Sequence, residues 1–208
     1  MPSSPYWMPA LPLIAILRGI RPDETLAHVE ALVDVGFDAI EIPLNSPDWQ
    51  TSIGLAVRHF GDRVCIGGGT VVRIEDVDAL AALGARLIVA PNTRPALIRQ
   101  AISKNMIVVP GVATPSEAFD ALDAGAQALK VFPASVYGPQ FIRALRAVLP
   151  PVPLYAVGGI TPENLGAYLK AGCVGAGLGS QLYQPQQLVS RTIAMARAYV
   201  QTFQESAA

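Results

Sequence analysis

Short apolar runs alternate with longer amphipathic stretches along the chain, and glycine and proline mark the boundaries between them. The runs Leu11–Leu17, Phe37–Pro43, Val64–Gly67, Leu87–Pro91, Met106–Pro110, Ala128–Pro133, Leu154–Val157 and Cys173–Leu178 are short and rich in Val, Ile and Leu, the pattern of buried strands. Between and after them, helices are predicted at Asp23–Val35, Pro47–Phe60, Ile74–Leu83, Pro95–Lys104, Pro115–Ala124, Pro139–Val148, Pro162–Lys170 and Pro185 to about Tyr199. Gly36, Gly84, Gly125 and Gly172 each stand between a helix and the next apolar run, as expected of helix C-caps that take positive φ. Ser46-Pro47, Thr114-Pro115 with Glu117, and Thr161-Pro162 carry the opposite mark, a capping side chain followed by proline at the first helical position. The phrase of helix end, glycine and strand recurs often enough to form a weak internal repeat.

Strands that are continuously apolar, and not alternating, belong to a parallel sheet covered on its outer face. Strict strand–helix alternation therefore predicts a short, single-domain (β/α)8 barrel of the TIM type over residues 1–208, with an open doubly wound sheet as the alternative. Residues 1–9 and 201–208 are expected to be flexible ends.

Composition removes several classes of function. Of 208 residues, 51% are hydrophobic and 15% charged, with a mean hydropathy of +0.39, yet no apolar run approaches the roughly 18 residues of a membrane span. A net charge of −1 with scattered basic residues offers no field for nucleic acid. The N-terminus shows no secretion signal, so a cytoplasmic setting is expected. Cys65 and Cys173 fall in predicted strands as small core residues, and His28 and His59 fall on predicted helices. No metal-ligand spacing joins them, and neither metal nor cofactor is expected.

Two charges lie where charges are expensive. Lys130 interrupts Gln127–Pro133 and Glu41 interrupts Phe37–Pro43, and a lone buried ion is rarely tolerated unless it is paired or neutralised. In a barrel the active site lies at the C-terminal ends of the strands. Arg18, Glu41, Asn45, Gly67-Gly-Gly-Thr70, Lys130, Gly158, Gly159, Gly179 and Ser180 all close strands there. The glycines after strands seven and eight stand where barrels bind phosphate with loop amides. A desolvated lysine holds a fraction of free amine able to form a Schiff base with a ketone, and a carboxylate in reach can move the protons of carbon–carbon cleavage.

Taken together, Glu41-Ile-Pro-Leu-Asn45, Gly68-Gly-Thr70, Lys130-Val-Phe-Pro133, Val157-Gly-Gly-Ile160 and Gly179-Ser180 resemble the short-barrel class I aldolases that act on 2-keto-3-deoxy-6-phosphosugar acids. The resemblance extends from Leu11 to about Ala198. It implies Lys130 as Schiff-base lysine, Glu41 as general acid/base, Thr70 and its loop as the pyruvate-carboxylate site, and the glycines with Ser180 as the phosphate site. It also implies a homotrimer acting on a phosphorylated keto acid. Relatives of the gluconate type carry arginine where this chain has Asn45, so Arg18 is the expected replacement at the carboxylate. They also place threonine at the position of Val157, which is expected to read C4 of the sugar acid and to favour the galactonate-derived epimer. The gluconate-derived epimer, or both, is the alternative. A sugar-phosphate isomerase or epimerase would share the phosphate loops but not need Lys130, and a non-catalytic phosphosugar-binding regulator would need neither buried charge.

Overall fold

The computed structural model describes residues 6–207. In chain order its elements are β1 (Leu13–Ile16), α1 (Pro22–Val35), β2 (Ala39–Pro43), α2 (Trp49–Phe60), β3 (Cys65–Gly69), α3 (Ile74–Ala82), β4 (Leu87–Val89), α4 (Pro95–Ser103), β5 (Ile107–Val109), β6 (Gly111–Val112), α5 (Pro115–Asp123), β7 (Leu129–Val131), α6 (Ala134–Arg146), β8 (Leu154–Val157), α7 (Pro162–Ala171), β9 (Gly175–Leu178) and α8 (Val189–Ala207). Every strand pair is parallel, in the order β5-β4-β3-β2-β1-β9-β8-β7-β6. The two outermost members are consecutive in the chain, separated only by Pro110, with β5 inside the expected fifth run and β6 extending two residues beyond it, so the sheet curls round into the expected TIM-type barrel. Proline has no N–H to give the ladder, and its carbonyl instead accepts from Lys130 N at 2.9 Å.

Along each strand, successive side chains turn to opposite faces, and two apolar layers result. Ile14, Ile16, Ala39, Leu87, Val89, Val109, Ala128, Tyr155 and Val157 pack together inside the barrel. Leu13, Ala15, Ile40, Ile42, Leu129, Val131, Leu154 and Ala156 join the larger core between strands and helices. Glu41 has the parity of Ala39, and Lys130 that of Ala128. Both charges therefore point inward.

Four boundaries differ from the sequence expectation, each for a local reason. Helix α2 begins at Trp49, after Asp48 in the left-handed region (φ 44°), because Ser46 Oγ accepts from Gly19 N at 2.9 Å instead of capping a helix. Helix α6 begins before the expected Pro139, with Gly138 (φ 71°) kinking it one residue earlier. Pro185 packs on Gly19, where a Cβ would lie 2.8 Å from Pro185 Cγ, and α8 starts only at Val189. That helix then continues to Ala207, so the stretch expected to fray from Gln201 is helical. At the other end, Trp7 N donates to Gln127 O at 3.0 Å, and the Trp7 ring lies 6.0 Å from that of Tyr155. Residues 1–5 and 208 lie outside the described residues. The cap at Thr114 forms as the spacing predicts, with Glu117 N donating to Thr114 Oγ1 at 3.2 Å. Among the described residues no helix is long and apolar enough to cross a membrane.

Tyr155 Oη is buried without a hydrogen-bond partner. Deleting an unpaired buried hydroxyl relieves a desolvation cost. Tyr155→Phe is therefore expected to keep or raise stability by up to about 1 kcal/mol, read by thermal melting; a clear loss would show the hydroxyl to be paired.

Candidate active site

A cleft of about 540 Å³ opens at the C-terminal ends of the strands, lined by Arg18, Glu41, Thr70, Lys130, Phe132, Val157 and the loops Gly158–Thr161 and Gly179–Pro185, among others. Of the residues singled out from the sequence, Arg18, Glu41, Thr70, Lys130, Val157, Gly158, Gly159, Gly179 and Ser180 reach it, whereas Asn45 and Gly67–Gly69 do not line it. His59 and Cys173 do not.

Glu41 is 2% and Lys130 6% exposed. Room for the carboxylate comes from β3, where a Cβ on Gly69 would overlap it. Glu41 Oε2 has no hydrogen-bond partner, and the Lys130 ammonium lies 4.7 Å from the Phe132 ring centroid. Burial pushes the Glu41 carboxyl up to about 7, against the opposing pull of Lys130 and Arg18. It pushes Lys130 down to about 8, against the pull of Glu41 and with the repulsion of Arg18. Desolvation wins on both residues. That depression leaves Lys130 a larger share of free amine near neutral pH than an ordinary lysine has.

Next to the charged pair, Arg18 Nη1 donates to Asn45 Oδ1 at 2.7 Å and Nη2 to Thr70 Oγ1 at 3.2 Å. No ion pair among the described residues engages Arg18, so its guanidinium faces the cleft with neutral partners that fix its plane and leave its charge for an anion. Thr70 adopts φ 56°, an unfavourable conformation for a β-branched residue and one of the kind that collects at functional sites.

Opposite this end lie the glycine loops. Gly158 and Gly159 have φ of 95° and 73°, and a Cβ on Gly159 would stand 2.5 Å from Ser135 Cβ. The main-chain N–H groups of Gly159, Gly179 and Ser180 donate to no acceptor among the described residues, the arrangement that loop amides take around an anion. Val157 forms the wall between the two ends and packs on β9, where a Cβ on Gly177 would lie 2.9 Å from Val157 Cγ2.

Several lining residues were not foreseen. Phe132 sits in the same short motif as Lys130 and could have been inferred from it. Tyr183, Gln184 and Pro185 arrive from an irregular loop whose path no local pattern reveals. Among the described residues no group of three His, Cys, Asp or Glu side chains could hold a metal ion.

Comparison with known proteins agrees with this geometry. Residues 7–197 match the model of the family described as KDPG and KHG aldolase. The chain is 58% identical over 201 residues to the 2-dehydro-3-deoxy-6-phosphogalactonate aldolase of Escherichia coli K12, covering 96% of this chain and 98% of that one. The solved structure described as native KDPGal superposes with a TM-score of 0.96 at 57% identity, over 97% of this chain and 98% of that chain. A second match is a cube-shaped, highly porous protein cage designed by fusing symmetric oligomeric domains, with a TM-score of 0.94 and 57% identity over 96% of this chain and 74% of that chain.

The opposed shifts at Glu41 and Lys130 set a pH test. Modification of Lys130 by an amine-directed reagent is expected to rise with pH around a midpoint near 8. The Glu41 charge raises Lys130, so Glu41→Gln should move that midpoint down. An upward move would show that the two groups do not interact as arranged.

Proposed function

The chain belongs to the KDPG and KHG aldolase family, and we propose that within it this protein cleaves 2-dehydro-3-deoxy-6-phosphogalactonate to pyruvate and glyceraldehyde 3-phosphate through a Schiff base on Lys130. The observation that carries the reading is an inward lysine and an inward glutamate, both desolvated, beside an unpaired arginine at one end of a cleft whose other end is lined by free loop amides.

The Lys130 amine adds to the C2 carbonyl, and loss of water leaves an iminium. Glu41 as carboxylate takes the C4 hydroxyl proton; the C3–C4 electron pair moves into the iminium, giving the enamine and the free aldehyde. Glu41, now protonated, returns that proton to C3, and water hydrolyses the imine to pyruvate and free Lys130. A carboxyl group poised near 7 suits both halves of this exchange. Arg18, with Asn45 and Thr70 holding its plane, binds the pyruvate carboxylate. Gly158, Gly159, Gly179 and Ser180 take the phosphate, whose binding energy orients the reacting carbon. The iminium polarises the bond, so the reaction is metal-independent in this reading. A cytoplasmic setting follows from the same metabolic role.

The working unit in this reading is a homotrimer. Supporting it are the likeness to a chain used as a symmetric oligomeric domain and an apolar patch beside the cleft, where Val136 is 74% exposed next to Phe132 and Tyr137. A charge placed there by Val136→Glu should lower the mass measured by light scattering, and an unchanged mass would put the interface elsewhere.

Borohydride added with pyruvate and a chelator is expected to leave a reduced three-carbon adduct on Lys130 and inactivate the protein. An adduct on another lysine, or none, would sink the Schiff-base reading. At Val157, valine gives the sugar C4 an apolar wall where a threonine could hydrogen-bond one epimer. Val157→Thr should shift kcat/KM toward the gluconate-derived epimer by about one to two kcal/mol, near the worth of one hydrogen bond. An unchanged ratio of the two epimers would mean that Val157 does not read C4.

A further inference from the structure

The loop that follows β9 carries Gly179 and Ser180, and its shape is set from outside the cleft. Leu182 N and Tyr183 N both donate to Gly179 O, at 2.8 and 3.0 Å. Gln187 then clasps the loop with its side-chain amide: Nε2 donates to Leu182 O at 2.9 Å, and Oε1 accepts from Gln184 N at 3.1 Å. Gln184 in turn donates through Nε2 to Ser180 O at 3.1 Å. A continuous path of hydrogen bonds therefore runs from Gln187 to Ser180.

The clasp is itself anchored in the protein interior. Gln187 Nε2 also donates to Thr192 Oγ1 at 2.6 Å, and Thr192 Oγ1 lies 2.9 Å from His28 Nδ1. Thr192 and His28 are both buried. An amide nitrogen can only donate, so it occupies one lone pair of the Thr192 oxygen, and the hydroxyl keeps a proton and a second lone pair with which to meet His28 Nδ1 in either tautomer of the neutral imidazole. Burial, the main influence on this histidine, pulls its pKa below the ordinary value and favours the neutral ring. The imidazole and the Tyr183 ring also meet nearly perpendicular, 4.9 Å between centroids and 78° between planes, while Tyr183 Oη donates to Glu24 Oε2 at 3.3 Å. In this way α1 holds the loop at two points, through Thr192 and through Tyr183.

We propose that His28, Thr192 and Gln187 form a positioning relay that holds the Gly179–Ser180 amides in register for the substrate's phosphate, setting affinity for phosphate-bearing substrates without touching them. The proposal rests on the reading of Gly179 and Ser180 as phosphate ligands. None of the three residues faces Lys130 or Glu41, so the relay acts on one end of the cleft only. A side-chain cluster that merely packed α1 against α8 would give no such selectivity.

The test is the synthetic direction, with pyruvate as donor and either D-glyceraldehyde 3-phosphate or D-glyceraldehyde as acceptor. Thr192→Val keeps the shape of the side chain but removes its hydroxyl. It is expected to raise KM for the phosphorylated acceptor by about tenfold, the effect of about one lost hydrogen bond, with borohydride trapping of pyruvate little changed. KM for D-glyceraldehyde should stay as it is, and Thr192→Ser should restore the wild-type constants. Gln187→Ala, at a less buried position, should repeat the selective loss if Thr192→Val fails to fold. Equal losses on both acceptors, no loss on either, or no rescue by serine would overturn the relay. A wild-type protein that does not itself prefer the phosphorylated acceptor would overturn the phosphate reading and the relay with it.

Discussion

Desolvation of two opposite charges inside one barrel is the constraint on which the site depends. Removing an ion from water costs several kcal/mol even after the surroundings relax. A tight ion pair would recover much of that energy, but it would also lock the lysine as an ammonium and occupy the carboxylate. Here each charge softens the other without a bond between them, and the unrecovered cost appears as pKa values that converge toward neutrality. The lowered lysine and the raised carboxyl are two outcomes of the same burial.

Holding that arrangement requires empty volume at particular inward positions. Gly69 on β3 clears the Glu41 carboxylate, and Gly177 on β9 clears Val157. These residues lie within strands, where glycine weakens local structure, so the barrel gives up local preference for a cleft. Thr70, with its left-handed backbone, continues the same pattern immediately after β3. The surrounding apolar layer between strands and helices supplies the stability against which such features can persist.

Much of this was legible in the chain because glycine and proline punctuate it so regularly. The barrel followed from the alternation, and the inward charges stood out because each interrupts the apolar body of its run, Glu41 between Ile40 and Ile42 and Lys130 between Leu129 and Val131. Parity was not legible. Both faces of each strand are apolar, so nothing in Ile40, Ile42, Leu129 or Val131 says that they face outward. Only the expense of burying Glu41 and Lys130 hinted at a common interior. Ser46-Pro47 shows the limit of local motifs: it has the chemistry of a helix cap, but a distant amide on Gly19 competes for the hydroxyl and wins. Asn45, seen in the sequence as the loss of a cation, becomes in three dimensions the acceptor that aims Arg18.

Gly19 shows how the two ends of the cleft are mechanically joined while remaining chemically separate. Its N–H is held by Ser46 at the entrance to α2, its α-carbon is faced by Pro185 of the loop after β9, and its predecessor is Arg18. The loops after β1, β2 and β9 therefore meet at one residue, between the guanidinium and the free amides of Gly179 and Ser180. A span fixed in this way resists stretching between the two ends proposed to bind anions. In the proposed function, an extended keto acid with a carboxylate at one end and a phosphate at the other would then place its central carbons over Lys130 and Glu41, so positioning by the ends would be a consequence of the barrel's closure and not of any contact with the reacting bond.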